Sequence, residues 1–145
     1  MKIYLFLFVF IYSCFTANAQ LATKANHIAI CANNLQKSTH FYTKIIGLTV
    51  VANPFADTVH QWFSMGNNVL LHMIEGDCKA NTDKRFHICF STKNFEKTMQ
   101  YLCKEKIAFE NWAGEKNTFT RRIDGVQQIY LQDPDGNWIE INDEH

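Results

Sequence analysis

The chain has no run of basic residues longer than two, and its fourteen Lys and Arg cancel its fourteen Asp and Glu. Without an electrostatic footprint, nucleic acid is not the expected partner. Its apolar leader, Ile3 to Ile11, falls short of the ~20 residues that span a bilayer, so no stable membrane span is expected in the mature chain. Nor do its cysteines fall at metal-knuckle or C-x-x-C spacings. A length of 145 residues and 47% hydrophobic content suit one ordinary core, and a small-molecule partner is what remains.

The leader itself carries information. Lys2, the apolar run and the small-residue stretch Ala17-Asn18-Ala19 before Gln20 form an export signal over residues 1–19, so the protein is expected in the periplasm or secreted. The alternative is a lipid anchor on Cys14. In the mature chain Cys31, Cys89 and Cys103 lie inside expected regular elements and read as small buried hydrophobes, while four cysteines leave three pairings open.

At the other end, Gln127 to Asn142 reads as a hairpin. Two alternating runs flank Asp133-Pro134-Asp135-Gly136, a turn suited to proline's fixed φ and glycine's tolerance of positive φ. Period-two alternation puts Ile139 and Ile141 on one face and Trp138, Glu140 and Asn142 on the other. A carboxylate in mid-strand is costly unless something positive meets it.

The pattern upstream occurs twice. His27 to Ala32 has strand character, Asn33-Asn34 offers a helix cap, and a helix is expected from Leu35 to Ile46, stopped by Gly47. Strands follow at Leu48 to Ala52, His60 to Met65 and Val69 to Glu75. After a linker at Gly76 to Lys84, a slide of 60 residues puts His27 on His87, Ile28 on Ile88, Asn34 on Asn94 and Lys37 on Lys97. A helix at Phe95 to Lys106 and strands at Ile107 to Trp112, Val126 to Gln132 and Asn137 to Asn142 complete the second unit. A slide of 68 puts Trp62 on Tyr130 and His72 on Glu140. The expected fold is α+β, two βαβββ modules in a curved sheet around one site, with helices outside.

Strand parity sends His27, His72, His87 and Glu140 to the faces away from the helices. Three imidazoles and a carboxylate suit one divalent transition metal, Zn, Ni, Co, Mn or Fe. His60, Trp62, Gln128, Tyr130 and Trp138 share that parity, and Arg122, beside Arg121, is placed to grip an anionic substrate.

With HIAICANNLQKSTHFYTKIIGL near the start and DPDGNWIEI near the end, residues 25–143 resemble the vicinal oxygen chelate superfamily. That group includes glyoxalase I, methylmalonyl-CoA epimerase, extradiol dioxygenases and the bleomycin resistance proteins. The resemblance implies His27, His72, His87 and Glu140 as ligands, with Glu140 also the base. Glyoxalase I has a glutamate, and the epimerase a glutamine, at the His72 position. A glutathione-binding arginine of glyoxalase I is replaced here by Cys31. The resemblance implies a metal-dependent lyase or isomerase shifting a proton next to a carbonyl; the alternatives are an Fe(II) extradiol-type dioxygenase and a non-catalytic binding protein. It also admits a homodimer.

Overall fold

In the computed structural model the described residues are 23–79 and 81–144; the expected export signal and Cys14 lie outside them. The first half builds β1 (His27–Ala32), α1 (Leu35–His40), β2 (Thr49–Val51), β3 (His60–Ser64) and β4 (Leu70–Glu75). The second builds β5 (His87–Ser91), α2 (Phe95–Lys104), β6 (Phe109–Glu110), β7 (Thr120–Arg121), β8 (Gln127–Gln132) and β9 (Trp138–Asn142). Two sheets result, ordered β1-β4-β3-β2 and β5-β9-β8-β6, with β7 added on β8. Each is a βαβββ module with its helix outside.

Pairing reproduces the repeat residue by residue. Ala29, His72 and Trp62 stand side by side across β1, β4 and β3, and Cys89, Glu140 and Tyr130 do so across β5, β9 and β8. Both helices open on the same cap: Asn34 Oδ1 accepts from the Lys37 N–H at 2.9 Å, and Asn94 Oδ1 from the Lys97 N–H at 3.0 Å.

Several elements differ from expectation. The first helix is α-helical only to His40 and continues as a π-helical turn, Phe41–Ile46, before Gly47 ends it at φ 87. Thr43 Oγ1 donates back to the carbonyls of Thr39 and His40, a local bond that competes with regular α-pairing. The strand expected over Ile107 to Trp112 shrinks to Phe109–Glu110. A loop then returns to β7, a two-residue strand that no alternating run announces.

The cysteines also depart from expectation. Cys31 is not a small buried hydrophobe: it forms a disulfide with Cys78, tying the end of β1 to the chain beyond β4. Parallel pairing of β1 with β4 brings these ends together, since Ala32 lies beside Glu75. Cys89 and Cys103 are free and exposed.

One apolar core runs through both modules, including Tyr42, Phe63, Leu71 and Met73 from the first and Ile129, Leu131 and Ile139 from the second. Polar clasps on its helix side join the halves. Tyr42 Oη donates to Asp133 Oδ2 at 2.9 Å, Ser38 Oγ donates to Asp135 Oδ2 at 2.6 Å, and Tyr101 Oη donates to the Lys44 carbonyl at 2.7 Å. Burial first, and then Asp133, pushes the Tyr42 phenol well above its ordinary range, so it stays a donor. The hairpin turn with Gly136 at φ 81 is therefore also an inter-module joint.

Candidate metal centre and ligand faces

The four expected donors lie on the faces away from the core, as strand parity requires, but in two pairs. No group of three or more His, Cys, Asp or Glu is placed to hold one ion among the described residues. Within one chain the four donors therefore stand as two separate pairs. The modules are joined through their helix side, and β1 and β5 are the outer strands of separate sheets. Neither has a strand partner on its free edge among the described residues.

On the first face His72 is 7% exposed, and its ring lies flat on Trp62, centroids 3.8 Å apart at 8°. His27 stands edge-on to both, 6.0 Å from His72 and 5.3 Å from Trp62. Its Nδ1 meets Asn26 Oδ1, an acceptor, at 2.7 Å; that ring nitrogen therefore donates, and Nε2 is left free of this bond. His60 is oriented likewise, by Asp57 Oδ2 at 2.7 Å from its Nδ1. Burial foremost, and then the neighbouring His60 and His27, lowers His72 below the ordinary histidine value, so it is held neutral. His72 Nε2 is buried without a hydrogen-bond partner.

The second face is centred on Glu140, 5% exposed. Tyr130 Oη donates to its Oε2 at 2.6 Å and Asn142 Nδ2 to its Oε1 at 2.9 Å, while Cys89 Sγ lies 3.5 Å from Oε1. His87 Nδ1 is 2.8 Å from the Lys84 carbonyl, which only accepts, so that nitrogen donates. The other nitrogen, Nε2, then faces Glu140 Oε2 at 3.2 Å. Burial and then Glu140 push the Cys89 thiol up to about 12, and burial followed by the Glu140 hydrogen bond raises the Tyr130 phenol. Both remain protonated donors toward the carboxylate.

Of the expected substrate residues, His60 and Trp62 border the first face, and Gln128 and Tyr130 are buried on the second. Arg122 is not free for an anionic ligand: its guanidinium is held by Asp124 and Glu144. Lys84, which sequence reasoning passed over as linker, pairs with Glu110 and sits over the rings of Tyr130 and Trp138. Phe55 was missed as well. It stacks over His60 and His72 from the β2–β3 loop, where no periodicity marks it.

The residues fit a divalent ion in chemistry. A buried imidazole nitrogen lacks a partner, and His87 Nε2 lies 3.2 Å from a carboxylate oxygen, so each face offers nitrogen or oxygen donors of the kind such an ion takes.

Two βαβββ modules with histidines and a carboxylate on the sheet faces away from the helices define a class, and sequence comparison names it. The chain belongs to the Glyoxalase/Bleomycin resistance protein/Dioxygenase superfamily, whose family model matches residues 24–141. Members of this superfamily commonly use a divalent metal, bind small molecules and often dimerise. Among curated proteins no sequence matches the chain.

Solved structures share the fold. A glyoxalase family protein from Bacillus anthracis superposes with a TM-score of 0.68 at 22% identity, covering 87% of this chain and 98% of that one. A glyoxalase/dioxygenase from Nostoc punctiforme gives 0.65 at 19%, covering 84% and 91%. A lactoylglutathione lyase from Agrobacterium tumefaciens gives 0.63 at 18%, covering 83% and 93%.

Proposed function

We propose that the protein is an exported, metal-dependent lyase or isomerase that shifts a proton next to a carbonyl of a small substrate. One divalent transition metal is held by His27 and His72 of one copy and by His87 and Glu140 of a second copy. The observation that carries the reading is the pairing of His87 Nε2 with Glu140 Oε2 at 3.2 Å while His87 Nδ1 is committed to a carbonyl. The unpartnered His72 Nε2 supports it from the other face. Two half-sites on separate sheets, each beside a free strand edge, support the second copy, because a two-fold dimer brings unlike halves together twice. Export is supported by the Cys31–Cys78 disulfide, which suits an oxidising compartment.

When bound, the metal supplies Lewis acidity to a substrate oxygen. Glu140 takes and returns the proton, while Tyr130 and Asn142 keep its carboxylate in one orientation. The Asn26 side-chain oxygen and the Lys84 carbonyl hold Nδ1 of His27 and His87, so each ring turns its Nε2 away from that anchor.

The test is elemental analysis of protein purified without a chelating tag, followed by chain mixing. Roughly one bound transition metal per chain is expected. His72→Ala and Glu140→Ala chains should each be inactive on a panel of 2-oxoaldehydes, with and without a thiol. Mixed after unfolding and refolding, they should recover up to about a quarter of wild-type activity, since half of the random dimers carry one intact site. Protein free of metal would sink the catalytic reading, and no recovery on mixing would sink the shared site.

A further inference from the structure

The first face carries more than two metal-type histidines. Phe55 lies over it, its ring 4.7 Å from His60, 5.8 Å from His72 and 6.2 Å from Trp62, yet it is 55% exposed. It is held there by its loop. The Phe55 N–H donates to Asn53 Oδ1 at 3.0 Å, Asn53 Nδ2 donates to the Asp57 carbonyl at 3.0 Å and the His60 carbonyl at 3.2 Å, and Ala56 is placed at φ 54. A non-glycine residue at that φ is uncommon and has a cost in backbone energy. The loop is built and strained.

Beneath Phe55, two buried polar atoms have no partner: His72 Nε2 and Trp62 Nε1. The two residues are 7% and 8% exposed. A metal accounts for the first but cannot account for the second, because an indole N–H only donates. A buried donor left unpaired is unfavourable, and an oxygen acceptor relieves it. Flat on His72 and edge-on to His27, Trp62 also offers an aromatic environment that favours a planar partner over a saturated one. Charge narrows the ligand further. Hydrogen bonds from His60, Asn53 and the Val59 N–H hold the Asp57 carboxyl below its ordinary range, although burial, the largest single influence, acts the other way. An anion therefore meets like charge beside His60.

We propose that Phe55, His60, Trp62 and His72 form a subsite for a planar, uncharged aromatic ring bearing an oxygen acceptor, in chemical class an aryl ketone. Phe55 moves aside to admit the ring, and the ligand oxygen accepts from Trp62 Nε1. This deepens the proposed function, in which the substrate becomes an aryl rather than an alkyl 2-oxo compound. Ring binding itself needs no metal.

The experiment is calorimetric titration of the full chain after EDTA treatment with acetophenone and three matched probes. Cyclohexyl methyl ketone keeps the oxygen without the planar ring, α-methylstyrene keeps the ring without the oxygen, and benzoate adds a negative charge. Acetophenone should bind about tenfold more tightly than α-methylstyrene, the effect of one buried hydrogen bond, and more tightly than the other two. Phe55→Ala should tighten acetophenone binding, and Trp62→Phe should erase its advantage over α-methylstyrene. If cyclohexyl methyl ketone, α-methylstyrene or benzoate bound as well as acetophenone to the wild-type chain, the subsite would be refuted without recourse to any variant. An advantage over α-methylstyrene that survived in Trp62→Phe would refute the role of the indole. Metal content measured on the same purification before EDTA treatment keeps the readings apart: ring selectivity in a chain purified without metal overturns the catalytic proposal alone, and metal without ring selectivity overturns the subsite alone.

Discussion

His72 and Glu140 occupy the same place in two copies of one module, each beside an aromatic residue on the preceding strand and a small residue on the parallel one. Their surroundings are opposite. His72 is packed by ring faces and has an unpartnered nitrogen, whereas Glu140 is encircled by Tyr130, Asn142, Cys89 and His87. A buried carboxylate cannot be left to apolar contact because its desolvation is severe; a neutral imidazole can. After duplication the backbone register persisted while the chemistry of the two centres diverged. One face is built of stacked rings, and the other holds a hydrogen-bonded carboxylate. The modules also differ in how they are fastened: the first carries the Cys31–Cys78 cross-link, and among the described residues the second carries none.

The contrast is broken most forcefully at the charged centre. Glu140→Gln keeps the shape and one oxygen donor but cannot accept a proton, so turnover should fall by about a hundred- to ten-thousand-fold. It should also retain more metal than His27→Ala, checked by elemental analysis beside the rates. Near-wild-type turnover with metal bound would end the base assignment.

Next in size is the fastening. Cys78→Ser opens a cross-link between residues 47 apart in sequence. The variant should lose about 2–4 kcal/mol in urea unfolding. The intact mass of the wild-type chain should show the missing hydrogens of one disulfide.

Tyr130→Phe removes the hydroxyl donor from a buried carboxylate and should cost about 2 kcal/mol by urea unfolding in EDTA. His72→Phe provides the smallest effect and the sharpest comparison. It keeps a ring on Trp62 and discards an unpartnered nitrogen, so the change should stay below about 1 kcal/mol in either direction. If it cost as much as Tyr130→Phe, the two centres would not differ as described. The acid side gives a second readout. Because His72 is lowered in the fold, the unfolded chain binds the extra proton, and the neutral ring's contribution is present above about pH 6.5 and lost as the pH falls. His72→Phe should flatten that acid slope.

What the sequence determined by itself is local or periodic. Alternation assigned His27, His72, His87 and Glu140 to the faces away from the core, because side chains in a strand alternate whatever they pack against. Asn34 and Asn94 marked the helix starts because a cap needs only its own next turn. The 60- and 68-residue slides then made two modules from one pattern. Tertiary structure decided everything that depends on which face meets which. Strand parity says that His27 and Glu140 point away from helices, but not that the modules join on the helix side, through Tyr42 on Asp133 and Ser38 on Asp135. Those clasps keep the donor pairs apart within a chain. Cys31 found Cys78 only once β1 lay beside β4, and Phe55 came over His72 only through its loop's bonds to Asn53. Arg122 closed on Asp124 and Glu144, a pairing no spacing announced. Long-range contact follows from packing two surfaces together, and a periodic pattern describes each surface without its partner.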